Sequence, residues 1–231
     1  MTSMGGPPKS KQEHLRQLIA GKQKWSNPLS LEAKEQGFLG WHERGHLPHC
    51  DRPGLTQFLT FRLADSLPAE KRQEWEHLLA IEESREKQRK LEEYLDRGAG
   101  RCLLRDAQIA GLVEKAILFH NGQRFQLLAW VVMPNHVHVL LRVQDFPLSR
   151  IVQNWKSITA VQVNQMLHRQ GSFWQPEYWE RFMRNLEQVH KAVHYIEHNP
   201  VKARLCESPL DWSHSSARYR NPITGALVPP C

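Results

Sequence analysis

The stretch FQLLAWVVMPNHVHVLLRV, residues 125–143, constrains the fold more than any other part of the chain. Its first part, Phe125–Met133, is a nearly continuous apolar run, too short for a typical helix, and it reads as a strand buried on both faces. Pro134-Asn135 makes a turn, and His136–Val143 follows as a neighbouring strand. Side chains alternate across a strand. Val137, Val139, Leu141 and Val143 therefore share one apolar face, suited to packing under helices. His136, His138, Leu140 and Arg142 share the other, directed away from that core.

The remaining elements arrange themselves around this pair. Leu55–Leu63 (LTQFLTFRL), bounded by Pro53-Gly54 and Asp65-Ser66, reads as the first strand. Ala69–Leu95 is heavily charged, with a thin set of apolar residues, and reads as a long surface helix or helix pair. Helices follow near Arg105–His120 and Ser149–Arg169, with an edge strand at Ser172–Trp174 and beyond. Leu186–His198 is a further helix, ended by Pro200. The order β-α-β-β-α-β-α predicts an α+β fold, a ferredoxin-like sandwich with a central antiparallel sheet and helices on one face. Residues 1–40 read as a loosely ordered arm with one short helix near Gln12–Ala20. The main domain then spans 41–215, with a helical insertion at about 69–120, and 216–231 form an irregular tail.

Composition narrows the class. Apolar residues make up 40% of the 231, which is globular, and the formal net charge of +7 suits a polyanionic partner without proving one. Cys50, Cys102, Cys206 and Cys231 form no C-x-x-C pair, which argues against a zinc ribbon and a disulfide framework. The opening MTSMGGPPKSKQEHLRQ has no apolar segment of a secretory signal, and no apolar run approaches the ~18 residues of a membrane span. The expected compartment is a reducing cytoplasm.

Two local patterns can carry chemistry. His136 and His138, at i and i+2 on one strand face, can converge on one cation, and neutral imidazole is a good ligand for a divalent metal. An isolated H-x-H also describes two half-exposed surface histidines. In LEQVHKAVHYIEHNP the stripe Leu186, Val189, Val193, Ile196 is the apolar face. Tyr195 lies off that stripe, near Gln188 and Lys191, with Asn199 one turn on. An off-core tyrosine beside an amide is a plausible nucleophile, and equally an ordinary surface tyrosine. His190 and His194, at i and i+4, have no supporting Cys or H-E-x-x-H pattern. Trp155, Lys156, Trp174, Arg181, Arg184, Lys191 and Lys202 are candidates for stacking bases or meeting phosphates, though many of the tryptophans suit a core as well. A phenol, with its pKa of about 10, is a weak nucleophile near neutrality, so attack on a phosphodiester needs charge stabilisation at the phosphoryl group.

The ordered set of motifs resembles one family. WVVMPNHVHVLL is similar to the histidine–hydrophobe–histidine (HUH) motif of the REP-associated tyrosine transposases, and YIEHNPVKARL to their nucleophile helix. WKSITA and FWQPEYWERFMRN stand at the family's usual spacing, and GWHERGHLPHCDRPGLTQFLTFRLADSLP resembles the opening of one bacterial subgroup. The resemblance covers roughly residues 40–215. It implies an HUH nuclease fold, magnesium or manganese as cofactor, and single-stranded DNA hairpins as partners, cut through a 5′-phosphotyrosine in a nucleoid-associated setting. Carried over, His136 and His138 become metal ligands, Tyr195 the nucleophile and Asn199 the candidate third ligand. Arg204 stands where the family often has Gly, a difference expected to alter the turn after the helix. Two other functions compete. One is a hairpin-binding protein that does not cut. The other is an RNA-binding module on the same scaffold, which would carry exposed aromatics where this strand carries histidines.

Overall fold

A computed structural model describes residues 28–44, 47–66, 90, 93–96 and 98–229. In chain order the elements are α1 (Leu31–Glu35), β1 (Gly40–Arg44), β2 (Leu47–Asp51), β3 (Thr56–Arg62), α2 (Ala107–Leu118), β4 (Phe125–Val132), β5 (His136–Val143), α3 (Leu148–Met166), β6 (Trp179–Phe182) and α4 (Leu186–Lys202). β1 and β2 pair as a two-stranded ribbon, and the main sheet runs β4-β5-β3-β6, antiparallel throughout. With α2 and α3 as its crossovers, β3-α2-β4-β5-α3-β6 has ferredoxin-like connectivity. The helix expected near Gln12–Ala20 and most of the charged segment Ala69–Leu95 lie outside the described residues. The edge strand is Trp179–Phe182; Trp174 contributes only an isolated bridge to Leu63. The ribbon Gly40–Asp51, polar and punctuated by Gly and Pro, was not expected from its sequence.

Both faces of the sheet are covered, which corrects the expectation of helices on one face. On the first face Leu59, Phe61, Val137, Val139, Leu141 and Val143 pack with α2 and α3. On the second, Phe58, Ala129, Val131, Met133 and Leu140 pack with Ala192 and Ile196 of α4. The cause lies in the central strands. Every residue of β5 except Arg142 is buried, so no face of it tolerates water. Burying one Leu or Val side chain stabilises by about 1.5–3 kcal/mol, and α4 collects that gain on the histidine-bearing face.

The helix α4 differs from its sequence reading in two ways. Its buried side is centred on Ala192, Ile196 and Asn199, while Leu186 is 74% exposed. Tyr195 therefore packs toward the sheet rather than away from it. The helix also continues through Pro200 to Lys202. Proline fixes a helical φ, and the closure just after it satisfies the last carbonyls. Arg204 N donates to Val201 O at 2.9 Å and Leu205 N to Pro200 O at 2.9 Å, a Schellman closure. Asn185 caps the other end by accepting from Gln188 N at 2.9 Å.

The chain after α4 returns along the outer edge of β4. Val132 N donates to His214 O at 2.9 Å, and Trp130 N donates to Ser216 Oγ at 3.1 Å. The segment from Ser216 on, expected to be irregular, forms a short 3-10 turn at Ser216–Tyr219 and holds α4. Glu197 accepts from Ser216 Oγ at 2.6 Å and from Arg220 Nε at 2.8 Å, while the Arg220 guanidinium also donates to Leu128 O at 2.6 Å.

Arg204 closes α4 at φ 57°, the left-handed region that glycine adopts without strain. The turn thus forms with Arg as it would with Gly, at an energetic cost. Arg204 is exposed and contributes little packing. Arg204→Gly is expected to raise unfolding free energy by about 0.5–1 kcal/mol, the left-handed penalty less the added chain entropy of Gly. Denaturant titration measures this, and a lowered midpoint would contradict it.

Candidate functional site

The site forms on the second sheet face, between β3, β5 and α4. In the β3–β5 register Thr60 stands opposite His138 and Arg62 opposite His136. Alternation then places both histidines, Thr60 and Phe58 on the side covered by α4. His136 and His138 are fully buried. Their rings lie 4.6 Å apart at 74°, with Nε2 to Nε2 at 3.1 Å. Nδ1 of His136 is 2.8 Å from Asn135 Oδ1, and Nδ1 of His138 is 2.8 Å from Thr60 Oγ1.

Burial keeps both imidazoles neutral. It pushes His136 down to about 3, with the positive charges of Lys202 and Arg62 adding to the effect. Burial likewise holds His138 well below the ordinary range, helped by His136 and Lys202. Neutral imidazole is the charge state that ligates metal, and burial holds both rings in it.

Tyr195, Asn199 and Lys202 follow at i, i+4 and i+7, on one side of α4. The Tyr195 ring sits 5.5 Å from His138 and 6.0 Å from Phe58, both edge-on, and Lys202 Nζ lies 5.4 Å from its centroid. Lys202 also meets Asp96 Oδ2 at 3.1 Å. Asn199 is fully buried, yet neither its Oδ1 nor its Nδ2 has a hydrogen-bond partner. A buried amide left so costs about 1–3 kcal/mol, which is the usual mark of a group reserved for something else.

These residues fit a divalent cation. Two neutral nitrogens converge within hydrogen-bonding distance, and one turn after Tyr195 on α4 the Asn199 amide oxygen has no partner. Among the described residues no group of three or more His, Cys, Asp or Glu gathers anywhere, so a closed structural metal site is absent from that set. A short protein donor set is what magnesium and manganese accept when substrate phosphates and water complete their shell.

The other sequence-predicted residues separate into two groups. Trp155 and Trp174 are buried in the core of the opposite face, where the Trp174 indole donates to Thr159 Oγ1 at 2.9 Å. They are core residues, not stacking platforms. Lys156, on that same far helix, donates to the carbonyls of Gln175 and Pro176 at 2.6 and 2.7 Å. Arg181 is exposed on the site face of β6, and exposed Arg184 lies 5.6 Å from the Phe182 ring. Lys191 pairs with Glu187 at 2.6 Å on the outer side of α4. His194 stacks on His198 at 3.9 Å instead of converging with His190. Sequence reasoning missed Thr60, Arg62 and Asn135. Asn135 reads as a turn residue, and the two β3 residues become visible only once the register sets them opposite the histidines.

A family model described as "Transposase IS200 like" matches residues 110–199, which span most of α2, then β4, β5, α3 and β6, and most of α4. Among solved structures, a REP-associated tyrosine transposase bound to a REP hairpin superposes with a TM-score of 0.50 at 22% identity, over 83% of this chain and 89% of that one, and so shares the fold. A relative from Haemophilus influenzae is 28% identical over 103 residues, covering 40% of this chain and 58% of that protein. A REP-associated tyrosine transposase of Escherichia coli strain K12 is 32% identical over 131 residues, 56% of this chain and 75% of its own length. At that identity and coverage, the chain belongs to the REP-associated tyrosine transposase family.

Proposed function

We propose that this transposase nicks and rejoins single-stranded DNA at REP-like hairpins, using Tyr195 as nucleophile and a divalent cation held by His136, His138 and Asn199. The observation that carries this reading is the stacking of elements at one point. A tyrosine on α4 packs against one member of a buried histidine pair whose Nε2 atoms are 3.1 Å apart. The solved relative bound to a REP hairpin supports the choice of substrate.

In the proposed reaction the Tyr195 oxygen attacks the phosphorus of a phosphodiester. The phenolic proton is given up to water, the bond to the 3′ oxygen breaks, and that oxygen takes a proton back from water, so that it leaves as a 3′-hydroxyl and the net proton count is unchanged. The 5′ phosphate stays on the tyrosine, conserving the bond for joining to another 3′-hydroxyl. A bound magnesium or manganese ion would polarise the non-bridging oxygens and offset the charge that builds on them. Lys202, beside the Tyr195 ring, and Arg62, at the end of β3, add positive charge on the same face. The half-buried Trp179, edge-on to Phe58 at 5.7 Å, and the exposed Arg181 are placed to meet the strand next to the cut. Among the described residues no helix is long and apolar enough to cross a membrane, and we place the protein at the cytoplasmic nucleoid where such DNA lies.

Tyr195→Phe keeps the ring contacts with His138 and Phe58 and removes only the hydroxyl. It should lower nicking about a thousandfold or more and leave hairpin affinity unchanged. Covalent protein–DNA adducts on denaturing gels report the first effect and equilibrium binding the second. Adduct at wild-type levels would remove Tyr195 from the role.

His136→Ala and His138→Ala should each reduce metal-dependent nicking about a hundredfold or more. Because both side chains are fully buried, each should also lower unfolding free energy by about 1–3 kcal/mol, through the cavity and the stranded partner. Full activity at low manganese concentration in either variant would rule out the pair as the metal site.

A tyrosine on a helix and a cation on a sheet must grip one phosphate, which is easiest when the backbone is not held in a duplex. We expect a hairpin with an unpaired flank to be cut in preference to the same strand annealed to its complement. Binding should weaken as salt rises, because cations are released from the phosphates on association. Competition among hairpin, duplex and unstructured strand measures this, and equal cutting of all three would refute it.

A further inference from the structure

We propose that Asn135 and Thr60 are positioning residues that set the proton on each histidine ring, so that both Nε2 lone pairs can be given to one divalent cation. This rests on the metal reading of His136 and His138 above, and it concerns residues that make no contact with the cation themselves.

The argument begins at a backbone carbonyl. Asn135 Nδ2 donates to Ala99 O at 3.0 Å. A carbonyl only accepts, so this end of the amide must be the NH2 group, and the other end must be the oxygen. That oxygen, Oδ1, is 2.8 Å from His136 Nδ1. An amide oxygen also only accepts, so His136 must carry its proton on Nδ1. Its Nε2 is then a bare lone pair.

The neighbouring ring follows. His138 Nε2 is 3.1 Å from that lone pair. In the chain alone the contact is favourable only if His138 donates Nε2–H. Its Nδ1 then accepts from the Thr60 hydroxyl, 2.8 Å away. To offer both Nε2 lone pairs to a cation, His138 must move its proton from Nε2 to Nδ1. Thr60 must then accept where it had donated. A hydroxyl can do both by rotating; a carbonyl or an ammonium cannot, and the Asn135 amide is held from flipping by its bond to Ala99 O. Asn135 is thus a fixed lock and Thr60 a reversible one. Both are almost fully buried, so water does not supply the missing partner. Ring-orienting partners of this kind generally contribute 10- to 100-fold to metal affinity.

The test uses the full chain and Mn2+ in calorimetric titration, with long-range proton–nitrogen NMR of the histidine rings before and after Mg2+. The wild type should bind Mn2+. Asn135→Ala and Thr60→Val should each weaken binding 10- to 100-fold, while Thr60→Ser, which keeps the hydroxyl, should stay within a few-fold. Before metal, His136 should be protonated at Nδ1 and His138 at Nε2. After Mg2+, His138 should show the Nδ1 proton. If Asn135→Ala and Thr60→Val bind Mn2+ as the wild type does, the positioning roles fail while the metal site stands. If the wild type binds no Mn2+, both readings fail. Should a truncated variant not fold, the wild-type ring protons decide alone: a proton on Nε2 of His136 overturns the proposal.

Discussion

Two imidazoles held with their Nε2 atoms 3.1 Å apart, without access to water, set the terms for everything around them. Charging either is opposed by burial and by Lys202, and for His136 by Arg62 as well. Leaving both lone pairs bare is opposed by their mutual repulsion. The pair therefore needs a shared hydrogen or a shared cation, and a cover that keeps solvent away. The cover is α4. Because it is held by Ile196 and Ala192 against Phe58, Val131 and Leu140, it is brought to a fixed depth over the histidines. Tyr195 and Asn199 are carried along. Apolar packing and reactive geometry are here the same set of contacts seen from two sides.

This arrangement explains why the sheet has no solvent face. In many antiparallel sheets a polar face meets water. Here that position is taken by a second, smaller core with a polar patch set inside it. The histidines, Thr60 and Asn199 are polar residues at core positions, each fixed by register or by helix phase. Such local departures from apolar patterning are where a fold commonly carries its function. The left-handed Arg204 and the in-helix Pro200 sit just beyond, at the end of the same helix, so its last turn departs from helical preference as well.

Much of this was readable from the residues. The alternation in HVHVLLRV gave the strand, its two faces and the convergence of His136 and His138, because a period of two leaves no freedom. The phase of α4 was harder. Large aliphatics point to Leu186, Val189, Val193 and Ile196, but the buried side uses a small alanine and a polar asparagine, and a tyrosine facing a site resembles a surface one. Rotating the face by about one residue moves Tyr195 from solvent to sheet. Pro200 reads as a stop, yet its fixed φ is compatible with the helix and the closure at Arg204 completes it. Trp155 and Trp174 suggested stacking platforms only because aromatic residues serve cores and nucleic acids alike. Thr60 opposite His138 needed strand register, which no single strand's sequence contains.

The bonds that Ser216 and Arg220 make to Glu197 have a consequence for how such chains are recognised. The histidine motif and the tyrosine-helix motif, which ends at Leu205, both come before that anchor in sequence. A chain cut between Leu205 and Ser216 would still display both of these motifs to any motif search. It would lack the two side chains that fasten this helix between Tyr195 and the unpartnered amide of Asn199. Counting intact signatures in genomes would then overcount working enzymes, and the quantity to inspect is a carboxylate inside the helix with an arginine some twenty residues later to hold it.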